Sequence, residues 1–446
     1  MLESASAAGV GRNKTRGRSV PARPSTYSSS GDPGPATPNA PPIPTIRRGR
    51  ATAAHSASVP LVDRALLLAG RGLRAFGFGF SAVLIGIHLE RRGLSATEIG
   101  FTLAVGLIAA SVSGLGSAAL SARIGRRRAL AASGVLMSIT GLDLAVSNQP
   151  WLLILAGLTG MLGAASVDLG PFASVEQAVL SETVPAERRN VAFARYSLGG
   201  GLFNAAGALA AALASGSAHS SAFFVAYAVI GLVTAALPLF MSGKVENLVA
   251  EPVFGTFRPL AGLAALFALD SLGGGFVANA VIAYWLHVRF GAGTSLLGPL
   301  FAAVAVLQAL SYEVSGRLGN RFGLVNTMVF THLPSNVLLI FVPLAPNLGW
   351  AVAILLARFA LSQMDVPARQ AYIVSIVPPA QRAGAVAMTG AIRGVAQSFG
   401  PALAGIAIGA AAFGVPFYAG GGLKIAYDLA LFAGFRRRRA DHEMRN

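Results

Sequence analysis

The sequence predicts an all-α polytopic membrane protein with twelve transmembrane helices in two pseudo-symmetric six-helix halves. Of the 446 residues, 54% are hydrophobic and 12% are charged, with a mean hydropathy of +0.62. A soluble domain carries about a quarter charged residues, so this composition cannot cover a water-facing surface. Apolar blocks recur from Leu61 to Phe435, each close to the roughly 20 residues that a helix needs to cross a bilayer. The second half of this region also repeats the first.

Residues 1–60 form a segment of different composition, rich in Ser, Pro, Ala and Arg and without a long apolar run. Such a stretch cannot bury enough apolar surface to fold, so we expect a disordered basic tail. An arginine-rich, serine-rich and acid-poor start is also typical of an organelle transit peptide. A solvated cytoplasmic tail or an over-extended gene model is the favoured alternative.

The apolar blocks define two halves, residues 61–241 and 259–435, joined by a hydrophilic cytoplasmic linker, 242–258. A basic cytoplasmic tail, 436–446, follows the last block. The predicted spans 1 to 12 are 65–88, 97–120, 129–147, 150–175, 190–216, 220–241, 259–286, 294–316, 324–345, 348–372, 384–410 and 416–435.

Arginine distribution predicts the orientation, because short cytoplasmic loops retain Lys and Arg. The loops after even-numbered spans carry Arg123, Arg126, Arg127, Arg128, Arg188, Arg189, Arg317, Arg321 and Arg382. The other side carries Arg91, Arg92 and Arg289. Both termini are therefore expected in the cytoplasm, with the protein in the cell membrane; an organelle membrane is the alternative. The net charge of +17 indicates membrane orientation rather than nucleic-acid binding.

The internal repeat has a displacement of about 196 residues. Residues 73–80 of span 1 match 269–276 of span 7, and the Gln-Ala pair at 177–178 matches that at 370–371. Gly207 matches Gly400. Because each repeat holds an even number of helices, the halves are expected to be parallel, around an axis along the membrane normal. Such a duplication encloses a central path.

Two loops carry a family motif, Gly-x-x-x-Asp-Arg-x-Gly-Arg-Arg in its full form. The loop after span 2 has Ala118, Ala122, Arg123, Gly125, Arg126 and Arg127 at those places, and the loop after span 8 has Gly316, Asn320, Arg321 and Gly323. On these residues the chain resembles the major facilitator superfamily (MFS) of secondary transporters. The stretches 325–336 and 362–370 are similar to an uncharacterised permease subgroup within it.

The resemblance implies that the two loops act in the conformational switch. The residues concerned are Arg123, Gly125, Arg126, Gly316, Asn320, Arg321 and Gly323. In the family the loop aspartate helps to latch one conformational state, and Ala122 lacks that carboxylate.

Charged residues within the spans are the candidate site, because an ionisable group in hydrocarbon costs roughly 2.5 to 3.5 kcal/mol to insert. In the resembled fold, spans 1, 4, 7 and 10 line the cavity. These four spans carry Arg71, Arg74, Asp168, Asp270, Arg358, Asp365 and Arg369. We predict that these seven residues form the substrate and proton pathway.

Each of these charges also has a structural interpretation. Arg74 and Asp270 occupy matching repeat positions, so they are predicted to face and neutralise one another across the cavity. Asp365 precedes Pro367 and shares a helical face with Arg358 and Arg369, so it could carry the coupled proton or cap a helix break.

Other polar residues in the spans are assigned structural roles. Lys424 and Asp428 are predicted to form a local pair, since they are four residues apart on span 12. His287 and His332 are expected near helix ends with structural roles. Arg393 and Asp143 fall outside spans 1, 4, 7 and 10, which we call the cavity set.

The resemblance implies a secondary transporter that moves a small organic solute by alternating access, and proton-coupled efflux is the favoured mode. Two features weaken drug and proton antiport of the usual kind: residues 151–163 of span 4 carry no charge, and span 5 has Gly207-Ala208 where such exporters have Gly-Pro. An uncoupled facilitator and a non-transporting MFS-like receptor remain alternatives.

The sequence offers no candidate residues for enzyme chemistry. The chain has no cysteine, no phosphate-binding loop, no nucleophile elbow and no metal-spaced histidines. We therefore expect no enzymatic activity, cofactor or metal. The expected partners are a small-molecule substrate, protons and the lipid bilayer, without nucleic acid, and the expected state is a monomer.

Overall fold

The computed structural model describes residues 60–163, 170–183, 189–214, 217–246, 260–375 and 382–435. Within these ranges the chain is helical and contains no β-strand. The helices are α1 (Leu61–Arg91), α2 (Ala96–Ile124), α3 (Arg126–Val146), α4 (Pro150–Gly157), α5 (Pro171–Thr183), α6 (Arg189–Ala210), α7 (Ser217–Ala236), α8 (Ala261–Phe276), α9 (Asn279–Phe290), α10 (Thr294–Phe322), α11 (Leu324–Phe341), α12 (Leu348–Leu361), α13 (Asp365–Ser375), α14 (Arg382–Gly409) and α15 (Val415–Phe435).

These helices follow the predicted spans. In the described part of the chain, ten helical segments are long and apolar enough to cross a membrane. The other two predicted spans are span 4, whose helices α4 and α5 flank the undescribed residues 164–169, and span 12, which is the 21-residue α15. The predicted tails and most of the linker lie outside the described residues, so the domain limits stay predictions.

Three spans of the cavity set are broken into two helices, which the apolar pattern did not predict. Span 7 changes direction at Val277 and Ala278, between α8 and α9. Span 10 is interrupted at residues 362–364, and Pro367 follows in the first turn of α13, where a missing N–H is tolerated. Span 4 is interrupted after Gly157. The breaks in spans 7 and 10 place polar backbone inside the bundle, where other protein segments rather than lipid surround it.

Matching backbone turns in the two halves support the internal repeat. Gly125, between α2 and α3, has φ 90° and ψ 153°. Gly323, between α10 and α11, has φ 86° and ψ 157°. A β-carbon strains this left-handed conformation, so both turns favour glycine. The two loops that the sequence aligns therefore have nearly the same backbone.

The same repeat appears in the closest helix contacts. A β-carbon on Gly207 of α6 would overlap the Phe76 carbonyl of α1, and one on Gly400 of α14 would overlap the Gly275 backbone of α8. The first contact joins span 1 to span 5, and the second joins span 7 to span 11. Small residues at such points allow helix backbones to approach closely.

The two halves meet through α2 against α14 and through α6 against α10. On the membrane side that contains the loop 92–95, which we call the Glu90 side, a β-carbon on Gly405 would lie 2.8 Å from the Cα of Gly100. On the same side His287 Nε2 lies 3.3 Å from Glu90 Oε2. The described structure therefore holds the halves together at the Glu90 side.

Candidate functional site

The predicted pathway residues are buried wherever the structure describes them. The buried pathway residues are Arg71, Arg74, Asp270, Arg358, Asp365 and Arg369. Asp168 lies outside the described residues. The ion pairs that these residues form divide between two clusters, one in each half.

The amino-terminal charge cluster consists of Arg71, Arg74, Glu176 and Tyr196. Arg74 Nη2 donates to Glu176 Oε1 at 2.5 Å, and Tyr196 Oη donates to Glu176 Oε2 at 2.7 Å. The Arg71 guanidinium lies 4.4 Å from the centre of the Tyr196 ring. A buried carboxylate thus receives both a cation and a hydroxyl donor, which offsets the cost of its desolvation.

The predicted contact between Arg74 and Asp270 is wrong. Arg74 is paired with Glu176 of α5 in its own half, and the Phe172 ring lies 3.9 Å beneath its guanidinium. The prediction failed because equivalent repeat positions share depth but not direction: Arg74 and Asp270 each pair with a neighbouring helix of their own half.

Loss of either partner of this pair should destabilise the protein. Arg74→Met or Glu176→Gln leaves a buried charge without its partner, and we expect each to lower the unfolding free energy by about 3 kcal/mol. The double variant should lose clearly less than the sum. Thermal unfolding of purified protein measures this, with the exposed Arg91→Met of α1 as the matched control. Strictly additive losses would show that the two residues do not interact.

The carboxy-terminal charge cluster consists of Asp270, His332, Asn336, Asp365, Arg369, Lys424 and Asp428. Asp270 lies at its centre. Its Oδ1 is 2.6 Å from Lys424 Nζ and 3.8 Å from His332 Nε2, and its Oδ2 is 3.4 Å from Arg369 Nη1. One carboxylate of span 7 therefore links cationic or ionisable groups from spans 9, 10 and 12.

Asp428 extends the cluster on the far side of His332. The carboxylate lies 2.9 Å from His332 Nδ1, and Asn336 Nδ2 donates to it at 2.9 Å. The predicted local pair of Lys424 with Asp428 is therefore wrong, because each contacts a different helix. His332 is also not near a helix end: it is buried in the middle of α11.

Asp365 is the first residue of α13 and pairs with Arg369, one turn later, at 2.7 Å. Both predicted features of Asp365, a helix start and an arginine partner, are present. Arg358 lies beyond the break in span 10; its guanidinium stacks on Phe359, with 4.5 Å to the ring centre. Arg393, assigned outside the cavity set, donates from Nε to Ser271 Oγ at 3.0 Å, so it borders the cluster.

The first of the two loops predicted to act in a conformational switch has a partner that the sequence did not predict. The Glu246 carboxylate accepts hydrogen bonds from the backbone N–H groups of Arg126 and Arg127, at 2.6 and 3.1 Å. An anion at the start of a helix is stabilised by its free N–H groups. Glu246 of the linker thus caps α3 beside the turn in which Ala122 replaces the family aspartate. Arg123 and Arg321 are exposed, and the side chains at 316 and 320 are not described.

Several cluster members were missing from the predicted site: Glu176, Tyr196, His332, Asn336, Lys424 and Asp428. A signal was present in the sequence, because His332 with Asn336 and Lys424 with Asp428 are each four residues apart within apolar spans. Two polar groups on one face of a membrane helix indicate a polar partner on a neighbouring helix.

The comparison with protein families decides the assignment of the chain. The model of the Major Facilitator Superfamily matches residues 67–359, more than half of the sequence. The chain belongs to this superfamily. The predicted resemblance and fold class are thereby confirmed, and this MFS chain is a multi-pass membrane transporter by family.

Individual relatives agree with the family. An uncharacterized membrane protein of Saccharomyces cerevisiae is 24% identical over 416 residues, which cover 83% of this chain and 93% of the relative. The crystal structure of the nucleoside transporter NupG superposes with a TM-score of 0.67 at 15% identity, over 85% of this chain and all of that chain. The D-xylose-proton symporter gives 0.63 at 18% identity, over 82% and 96%. These structures share the fold with this chain.

Proposed function

We propose that this MFS protein is a secondary active transporter that exports a small organic solute by alternating access, in exchange for protons. The carboxy-terminal charge cluster is the observation that carries the proposal. Three carboxylates are buried there at membrane depth, and each contacts a cationic or ionisable group. Ionisable groups retained in membrane spans mark ion and substrate routes.

The cluster suits coupling because its contacts join separate elements. Asp270 of α8 pairs with Lys424 of α15 and with Arg369 of α13. Arg369 in turn pairs with Asp365, which directly follows the break in span 10. When helices rock, a carboxylate that loses its cation becomes expensive to keep charged in the bilayer, so it takes up a proton. Restoring the pair releases the proton on the other side.

Asp365 is the first choice for the coupling carboxylate, because it combines an arginine partner with a position at a helix break. We expect Asp365→Asn to fold and to exchange solute down its gradient, but to lose accumulation driven by a pH gradient. Asp143→Asn makes the same chemical change near the Glu90 side, where Asp143 binds Ser147, and should keep accumulation.

The measurement is solute flux in proteoliposomes under an imposed pH gradient, with a solute selected because it raises the melting temperature of the purified protein. Wild-type flux that ignores the pH gradient would indicate an uncoupled facilitator. Binding without any flux would indicate a receptor. If Asp365→Asn keeps full pH-driven accumulation, Asp365 is not the coupling site; if it does not fold, helix capping is its role.

The topology and setting belong to the same proposal. We place both termini and the Gly125 and Gly323 turns in the cytoplasm, because arginine is enriched in the loops that contain these two turns. The Glu90 side then faces the outside of the cell. The protein then acts as a monomer in the cell membrane.

A further inference from the structure

Two arginines beside the carboxy-terminal charge cluster lack a carboxylate of their own among the described residues. Arg358 on α12 is 6% exposed, and its Nε and Nη1 atoms have no hydrogen-bond partner. Arg393 on α14 is half-buried and is held by the neutral Ser271, next to Asp270. The carboxylate of Asp270 itself is already engaged by Lys424 and Arg369.

The charges of the described side chains in this region do not balance. Leaving His332 aside, four permanent cations accompany three carboxylates, and the side chain of Glu313 on α10 is not described. The cations are Arg358, Arg369, Arg393 and Lys424, and the carboxylates are Asp270, Asp365 and Asp428. A buried cation without a counter-charge costs several kcal/mol, so folding alone would select against it. A ligand that carries negative charge would supply the counter-charge that the buried Arg358 lacks among the described residues.

We propose that the transported solute is an anion, bearing a carboxylate or phosphate group, and that Arg358 with Arg393 binds this group. The inference rests on the proposed transport function and names its substrate class. A guanidinium offers parallel N–H donors that match the oxygens of carboxylate and phosphate. The Nε and Nη1 atoms of Arg358 have no hydrogen-bond partner, so this guanidinium is available to donate to such a group. The Phe359 ring beneath its guanidinium holds the plane in place.

The test measures binding, not flux, so it stands or fails separately from proton coupling. Melting temperatures of the purified protein are compared with matched probes, succinate against succinamide and glucose 6-phosphate against glucose. We expect one anion of these pairs to stabilise the wild type and its neutral partner not to do so. The responding pair separates a carboxylate from a phosphate ligand. Stabilisation by the neutral partners alone, or by none of the four probes, would overturn the proposal.

Arg358→Gln locates the site and separates binding from a structural role. Removing a cation that has no counter-charge should raise the melting temperature without ligand by roughly 2–4 °C and weaken the apparent affinity for the anion by about 10- to 100-fold. Arg358→Lys keeps the positive charge but not the guanidinium donors. It should therefore weaken the affinity for the anion less than Arg358→Gln does. Arg289→Gln removes an exposed arginine and should change neither quantity.

Two outcomes would contradict the assignment of Arg358. An Arg358→Gln protein with unchanged anion affinity places the site elsewhere. An Arg358→Gln protein that is less stable without ligand, or that does not fold, shows a structural role, and Arg393→Gln then decides whether the anion binds at this cluster. Anion binding without pH-driven flux would leave this inference standing and remove proton coupling.

Discussion

Asp270→Ala is expected to lower the unfolding free energy by about 5 kcal/mol, because it leaves Lys424 and Arg369 buried without the carboxylate that they share. Lys424→Met should cost less, since Asp270 keeps Arg369. The Asp270→Ala/Lys424→Met double variant should recover part of the loss, because it removes one uncompensated charge with the other. Unfolding of the detergent-purified proteins, followed by intrinsic fluorescence, measures these differences.

Lys244→Met is the matched control for this cycle, because Lys244 is exposed and its removal should leave stability within about 0.5 kcal/mol. If the double variant is as unstable as the sum of the single variants, Asp270 and Lys424 are not partners. If Lys424→Met alone equals Asp270→Ala, then Lys424 rather than Asp270 is the centre of the cluster.

Gly207→Ala is expected to cost about 4 kcal/mol and to abolish most of the folded yield. Its new β-carbon would overlap the Phe76 carbonyl, and a backbone oxygen in a membrane helix cannot move aside as a side chain can. Gly400→Ala, its repeat partner, should behave alike, because its β-carbon would overlap the backbone at Gly275. Yield of monodisperse protein after extraction and its melting temperature are the measurements.

Controls for the glycine variants lie in the same helices. Gly199 of α6 and Gly390 of α14 have no atom within 4 Å of an added β-carbon, so alanine there should be neutral or stabilise by a few tenths of a kcal/mol. A Gly207→Ala protein as stable as Gly199→Ala would show that α1 and α6 are not in close contact at Phe76.

Much of the fold follows from local properties of the sequence. Hydropathy locates the spans because lipid contact and helix length act residue by residue along the chain. The repeat also predicts equivalence: Gly125 and Gly323 have the same turn, and Gly207 and Gly400 make the same kind of contact. The breaks within spans 7 and 10 were not predicted, because neighbouring helices and not local hydropathy accommodate the freed backbone.

The sequence by itself determined which charges enter the membrane and in which spans, since insertion cost makes each such residue conspicuous. Only the tertiary structure decided their partners. Arg74 contacts Glu176 across 102 positions of sequence and Asp270 contacts Lys424 across 154, whereas the nearer candidate pair, Lys424 with Asp428, separates toward two different helices. Partner choice depends on helix rotation and on which faces meet. These are fixed by the packing of the whole bundle, so spacing along one helix cannot reveal them.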